Sequence, residues 1–440
     1  MNVKKFFEIC AAKGIQEAQI TISRSKNTSV KVFEHEIDSF TISDSQSVVA
    51  CGIVNGKFGS AATTKLTKDT FEFLANEILF TASFNEKEET ASIFKGSPKY
   101  RKGSFYKKEL PLIPMEKKVA VLFEIEKALY ASDPNVEKVD MVRYTESEHE
   151  EEFYNSFGLK LKAKGNYFSI VSGVVIRKGE EVKTFYDGFV DNDFSKFDKE
   201  KFVAEITKKC LAKFGGAPCN AGKYPTVLSR EIVSPLLGAF LDACSAKAVQ
   251  KNSSFLKGRL GTKVASPRLT VEMKPLAKTI YFSYFDSEGV AKSNRTVIRK
   301  GVLQTYFHNR ETAEKDGVES TGNGTFEGGQ MGVGYDNVFV KPGKKSFDEM
   351  IAPIQDGAYI TEIGGLHAGL NEVSGDFSCQ AEGFRIRNGK LAEPLNLITL
   401  SGNLLQMFAD LKEFDNNDEF KGDFINVADA YIKEMSIGGQ

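Results

Sequence analysis

No C-x-x-C pair occurs among the six cysteines (Cys10, Cys51, Cys210, Cys219, Cys244 and Cys379). A chain of this length does not need disulfides for stability, so reduced, mostly buried thiols are expected. The four histidines, His35, His149, His308 and His367, stand too far apart for an H-E-x-x-H helix. A G-x-S-x-G elbow is absent as well, which removes the support for a self-contained hydrolase. Charge of one sign is also missing: 58 Lys and Arg face 59 Asp and Glu, so no global field draws the chain to nucleic acid or to an anionic membrane. Apolar runs such as "VVACGIV" (48–54) stop far short of the ~20 residues that span a bilayer. Near the start, Glu8 and Lys13 interrupt the apolar patch before a secretory leader can form. A soluble cytoplasmic protein without membrane or nucleic-acid partners is expected.

What is present is ordinary globular material, 41% apolar and 27% charged over 440 residues. That length exceeds the ~250 to 300 residues at which one core usually splits, so at least two domains are expected. Residues 2–12 carry apolar side chains at helical spacing, and 18–65 alternate as strands with Asn55-Gly56 as a hairpin turn. Helical periodicity returns at 68–84 and 115–132, separated by the Pro- and Lys-bearing stretch 96–114, which reads as an exposed linker. Three more alternating runs and a helix at 196–214 complete an α+β half with an antiparallel sheet. "GGAPCNAGKYP" (215–225) then marks a boundary near Gly222. The domains expected are 1–221, with possible sub-lobes at about 1–100 and 110–221, and a β-rich 222–440 with one helical segment at its start.

Candidate chemistry lies in the second half. "GGLHAGLNEVSGDFSCQAEGF" (364–384) offers His367, Glu372, Asp376 and Cys379 as permissible zinc donors, but their spacing matches no zinc signature. On a strand after Asp376, Phe377 and Cys379 share one face and Ser378 and Gln380 the other, which makes Cys379 a core residue. His367, between two glycines, lines a cleft or caps a turn. "YFDSEGV" (284–290) sets Asp286 and Glu288 two apart, as paired carboxylates for acid–base work require, although the flanking turn residues favour a solvated hairpin tip. "STGNGTFEGGQMGVG" (320–334) lacks the third glycine and the G-K-S/T of a phosphate loop, and reads as a functional stretch that is either a mobile loop or lets backbone pass close to a bound peptide or partner. "TESEHEEEFYNS" (145–156) reads as a solvated charged strand.

Taken in order, "GKYPTVLS" (222–229), "SSFLKGRLGTKVASPRLTV" (253–271), "FDSEGVAKSNRTVIRKGVL" (285–303), "ESTGNG" (319–324), "GLNEVSGDFSCQAEGFRIRNGKLAEP" (369–394) and "ITLSGNLLQMF" (398–408) resemble the TldD/PmbA family, named for peptide maturation and modulation of DNA gyrase. The first half agrees only in general pattern. The resemblance implies a dimer enclosing a cavity. It also implies a zinc helix in the TldD branch, H-E-x-x-x-H, with a cysteine ligand near the C-terminus. The matching window here, 237–242, reads Leu-Gly-Ala-Phe-Leu-Asp, and no cysteine follows Cys379. The resemblance therefore implies the PmbA (TldE) branch: no metal or catalytic residue in this chain, no activity on its own, and zinc in a TldD-like partner that acts on peptides or unfolded segments. Asp286, Glu288, His367 and Asn371 are the substrate-cleft candidates. A homodimeric peptide-binding scaffold, and a metal-independent hydrolase using Cys379 or Ser378, are the alternatives.

Overall fold

The computed structural model describes residues 3–85 and 92–439. Strands β1 (Glu17–Phe33), β2 (Glu36–Val54), β3 (Lys57–Thr63), β4 (Val136–Asn155), β5 (Lys160–Lys178) and β6 (Glu181–Asp191) form one antiparallel sheet in the order β3-β2-β1-β4-β5-β6. Asn55 (φ 52°) and Gly56 (φ 76°) make the β2–β3 turn, with both central residues at positive φ as a two-residue hairpin requires.

β1 shows why one sheet carries two cores. Its inward positions are apolar at Ile20 and Ile22 and again at Val30 and Val32, with the polar run Arg24 to Thr28 between them. The first pair packs under α1 (Val3–Ala12) and α2 (Thr70–Phe84). The second packs with Leu122, Ile125 and Leu129 of α3 (Met115–Ala131) and Phe202 and Ile206 of α4 (Lys199–Leu211). The two candidate sub-lobes thus share a continuous sheet.

The stretch read as an exposed linker has no helix or strand before Leu110, but it is tied down. Tyr100 donates its hydroxyl to Gly289 O (2.7 Å), and Lys107 N donates to Asn166 Oδ1 (2.8 Å). The charged run on β4 is likewise only partly solvated. Glu146 is buried and accepts from Lys118 Nζ at 2.5 Å and from the Tyr144 hydroxyl, because its side chain points to the helix-covered face, while His149 remains exposed.

The second half begins with β7 (Gly222–Leu228), α5 (Arg230–Asp242) and α6 (Ala246–Gln250), followed by β8 (Val271–Met273), β9 (Arg295–Arg299), β10 (Val302–Leu303), α7 (Arg310–Lys315), β11 (Gly324–Glu327), β12 (Gln330–Val333) and β13 (Val338–Val340). Then come α8 (Phe347–Ile351), β14 (Asp356–Gly364), α9 (Leu366–Gly369), β15 (Asp376–Arg387), β16 (Lys390–Asn403), α10 (Leu404–Ala409), β17 (Leu411–Phe414), β18 (Ile425–Asn426) and β19 (Ala430–Gly438). One sheet runs β16-β15-β14-β7-β19-β17, and an added β16–β19 pairing closes five of its strands into a ring. A second sheet runs β10-β9-β8-β13-β18. The apolar side chains of α5, Leu236, Leu237, Phe240 and Leu241, fill a core with Leu400, Phe408 and Ile432.

β11 and β12 replace the mobile-loop alternative for 320–334 with close approach, here to the chain's own first sheet. They form a hairpin turning at Gly328 and Gly329, Phe326 packs beside Cys51 and Ile53 of β2, and Ser60 donates to Gly329 O (2.9 Å). The glycine-rich span is a strap across the two halves.

Candidate functional site

α5 opens where Ser229 leaves β7. No side-chain bond comes from that cap; instead the Asp429 carboxylate accepts from Arg230 N at 2.8 Å, and Tyr359 donates its hydroxyl to the same carboxylate at 2.8 Å. An acid at a helix N-terminus is favourable, so β14 and the start of β19 fix the helix axis. The other end of α5 carries Asp242, which keeps solvent access. Protein packed around its carboxyl, together with the charge of Glu372, pushes it up to about 6. Burial and then Asp242 push the Tyr335 hydroxyl up to about 12. Asp242 thus stands between two neighbours at the end of α5, Glu372 and Tyr335.

The fit of this helix to zinc can be tested directly. Leu237, Phe240 and Leu241 point into the core with no exposure, and a Cβ on Gly238 would stand 3.0 Å from the Tyr335 hydroxyl oxygen. Asp242 is the one donor in the window, and among the described residues no three His, Cys, Asp or Glu side chains converge to hold a metal ion. Zinc needs three or four such ligands, so the residues present do not fit it.

The four sequence candidates fall in two places. His367 is exposed on the one-turn helix α9, and Asn371 is exposed in the turn after it, its side chain accepting from Val373 N (3.0 Å) and Ser374 N (3.1 Å). Asn371 is thus spent on holding its own turn. This loop lies directly on β15: a Cβ on Gly369 would meet Ser378 O at 2.3 Å, so only glycine allows the approach. Phe377 and Cys379 are buried, Ser378 and Gln380 exposed. Burial pushes the Cys379 thiol up, the opposite of what a nucleophilic cysteine needs, and Ser378 Oγ meets Ser401 Oγ (2.8 Å) rather than a base.

Asp286 and Glu288 converge elsewhere, and the solvated hairpin tip is overturned: their exposures are 3% and 8%. The reason is the aromatic run before them. Tyr284 and Phe285 pack against Phe153 and Leu161 of the first sheet, which draws the turn into the junction of the two halves. Gly289 makes that turn at φ 81°, where a Cβ would stand 2.8 Å from the Phe153 ring. Asp286 accepts from Glu288 N (3.0 Å), Val290 N (2.9 Å) and Gly324 N (2.8 Å), and Glu288 accepts from Arg310 N (2.8 Å). Both carboxyls face one point, the missing Cβ of Gly324, at 3.0 and 2.8 Å. Burial pushes Asp286 up to about 6 against these donors, and burial with the Asp286 charge pushes Glu288 up to about 8. The pair can hold a proton at neutral pH, but it is a buried seam between halves and has no bond to His367 or Asn371.

Comparison with known proteins agrees with this architecture. Residues 221–439 match the family model described as the PmbA/TldA metallopeptidase C-terminal domain, and residues 108–214 match the corresponding central domain. The chain belongs to the PmbA/TldD family. Among its PmbA/TldD relatives, the metalloprotease PmbA of Escherichia coli O157:H7 is 23% identical over 96% of this chain and 92% of its own. A zinc metalloprotease TldD homolog of Saccharolobus solfataricus is 25% identical over 88% of each chain. A crystal structure from Thermotoga maritima, named for modulation of a DNA gyrase, superimposes with a TM-score of 0.89 at 26% identity over 99% of both chains. TldE from Thermococcus kodakarensis, at 22% identity and a TM-score of 0.91 over 99% of this chain and 100% of that one, shares the fold. Sequence reasoning missed Tyr335 and Asp429, and it named Glu372 only as a possible zinc donor, not as a neighbour of α5. Tyr335 ends the glycine-rich span at "GVGYDN", and no spacing rule links it to a helix almost a hundred residues earlier.

Proposed function

We propose that this chain is the non-catalytic, TldE-like subunit of a cytoplasmic TldD-type peptidase pair, in which a TldD-like partner holds zinc and the pair acts on peptides or unfolded segments. The observation that supports it is the α5 window, where Gly238 faces the Tyr335 hydroxyl and apolar side chains stand in place of ligands. In this reading the chain shapes and closes the peptide cavity, Asp242, Tyr335 and His367 border it, and nucleic acid is not a ligand. The test is zinc content and peptide cleavage by the purified chain, alone and coexpressed with a TldD-like protein, with the mass of each species measured in solution. Zinc and chelator-sensitive cleavage found only in a mixed dimer are expected. Stoichiometric zinc with cleavage by the isolated chain would overturn the proposal, and a metal-free homodimer that never takes up the partner would replace it with a binding scaffold.

A further inference from the structure

The first sheet ends in an unusual edge. β1 pairs with β2 along its whole length, from Phe33↔Glu36 to Glu17↔Ile53, but β3 reaches only Val48 to Val54. The outer side of residues 36–47 therefore has no strand beside it, and no other backbone hydrogen bond reaches this segment among the described residues. Twelve residues of open ladder are a template for another extended chain. The segment also carries large apolar side chains in the open: Ile37 is 49%, Phe40 49% and Ile42 56% exposed.

Charge selects the occupant. Between Lys31 and Lys57 there is no lysine or arginine, while Glu34, Glu36, Asp38 and Asp44 line the edge. Lys31 neutralises Asp38 at 3.2 Å. Glu34, Glu36 and Asp44 make no ion pair among the described residues, although Lys26 stands across from Asp44 in register. A second copy of the same edge fits badly. Residues 32–56 hold no lysine or arginine, so a copy of this edge brings only acids to face Glu34, Glu36 and Asp44, and like charges across a strand pair are unfavourable. The edge is closed to itself and open to cations.

We infer that the outer edge of β2, residues 36–47, is a binding site for an extended polypeptide segment carrying basic side chains, which adds to the sheet as a seventh strand. The inference deepens the reading of the chain as a peptide-handling subunit by giving that peptide a class. The added strand contributes backbone bonds to the open ladder, lays apolar side chains on the face of Phe40 and Ile42, and sets lysine or arginine on the other face, where the bulge at Asp38 places Glu36; Asp44, on the face of Phe40, adds to the negative field. Because the site lies on the first sheet and not beside α5, it would hold a segment of the substrate away from the cleavage point.

The experiment uses the isolated full chain and labelled ten-residue peptides of alternating Lys-Val and Glu-Val, read by fluorescence anisotropy. It needs neither zinc nor cleavage, so its failure is separable from failure of the peptidase reading. The Lys-Val peptide is expected to bind about tenfold more tightly than Glu-Val, the difference between an opposite and a like charge set against Glu36. N-methylation of alternate residues, made in both phases, is expected to abolish binding in one phase, because an added strand uses the amides of only one edge. The E36K/D44K variant, whose changes lie on exposed positions, is expected to reverse the preference. Equal affinity for both peptides, indifference to N-methylation in both phases, or self-association of the chain that E36K/D44K abolishes would each overturn the inference.

Discussion

Replacing Glu288 by glutamine isolates the energetics of the buried seam. In the folded protein the carboxyl is driven from 4.5 to about 8, first by burial and then by Asp286. A folded acid whose pKa is raised binds its proton more tightly than the unfolded chain does, so its contribution is intact below pH 4.5 and is lost as pH rises through about 8. Linkage sets the ceiling of that loss at about 5 kcal/mol. Asp286, facing the same point and itself pushed up to about 6, shares the proton, so a loss of about 2 to 5 kcal/mol by pH 9 is expected. Glutamine keeps an acceptor for Arg310 N and cannot ionise. Urea unfolding followed by circular dichroism at pH 5 and at pH 9 is the assay. At pH 5 the E288Q variant is expected within about 1 kcal/mol of the parent, since both side chains are then neutral. By pH 9 the parent has lost stability that the variant keeps, and other acids that titrate in both proteins cancel in the difference. Stability curves that run parallel from pH 5 to pH 9 would refute the buried, proton-sharing assignment.

Two further outcomes follow from burial. Lys118→Met strands the buried Glu146 carboxylate beside Tyr144 and is expected to cost about 3 to 5 kcal/mol in the same unfolding assay, most of it recovered in K118M/E146L; a single variant within about 1 kcal/mol of the parent would show that Glu146 is solvated or protonated. Five of the six thiols are buried and only Cys219 is partly exposed, so an aromatic disulfide reagent is expected to modify one thiol quickly under native conditions and the rest after denaturation, and rapid labelling of Cys379 would contradict its place in the core.

The elements were legible wherever one periodicity ran long enough. Five apolar positions predicted the first helix, and Asn55-Gly56 predicted its hairpin, because in both cases the deciding interactions lie within a few residues. The alternation at 376–380 likewise placed Phe377 and Cys379 inside before any partner was known. What failed was everything that depends on a distant surface. Asp286 and Glu288 carry the local signature of an exposed turn, and only Phe153 and Leu161, more than a hundred residues earlier, turn that site inward. The same holds for Glu146, which reads as one acid in a charged run until Lys118 of α3 reaches it.

The candidate site divides along the same line. The absence of histidine and glutamate from 237–242 was plain in the sequence, because a missing side chain needs no neighbour to be missing. What occupies the space was not, since Tyr335 arrives from the far end of a hairpin whose glycines suggested motion. A glycine-rich stretch permits either motion or close approach, and here close approach prevails: Phe326 and Ser60 pin the hairpin to the first sheet, which in turn delivers Tyr335 to Gly238. The strap and the closed end of α5 are therefore one construction. A substitution that loosens the hairpin, such as Phe326→Ser, would act on the end of α5 from the opposite side of the junction, through position rather than chemistry.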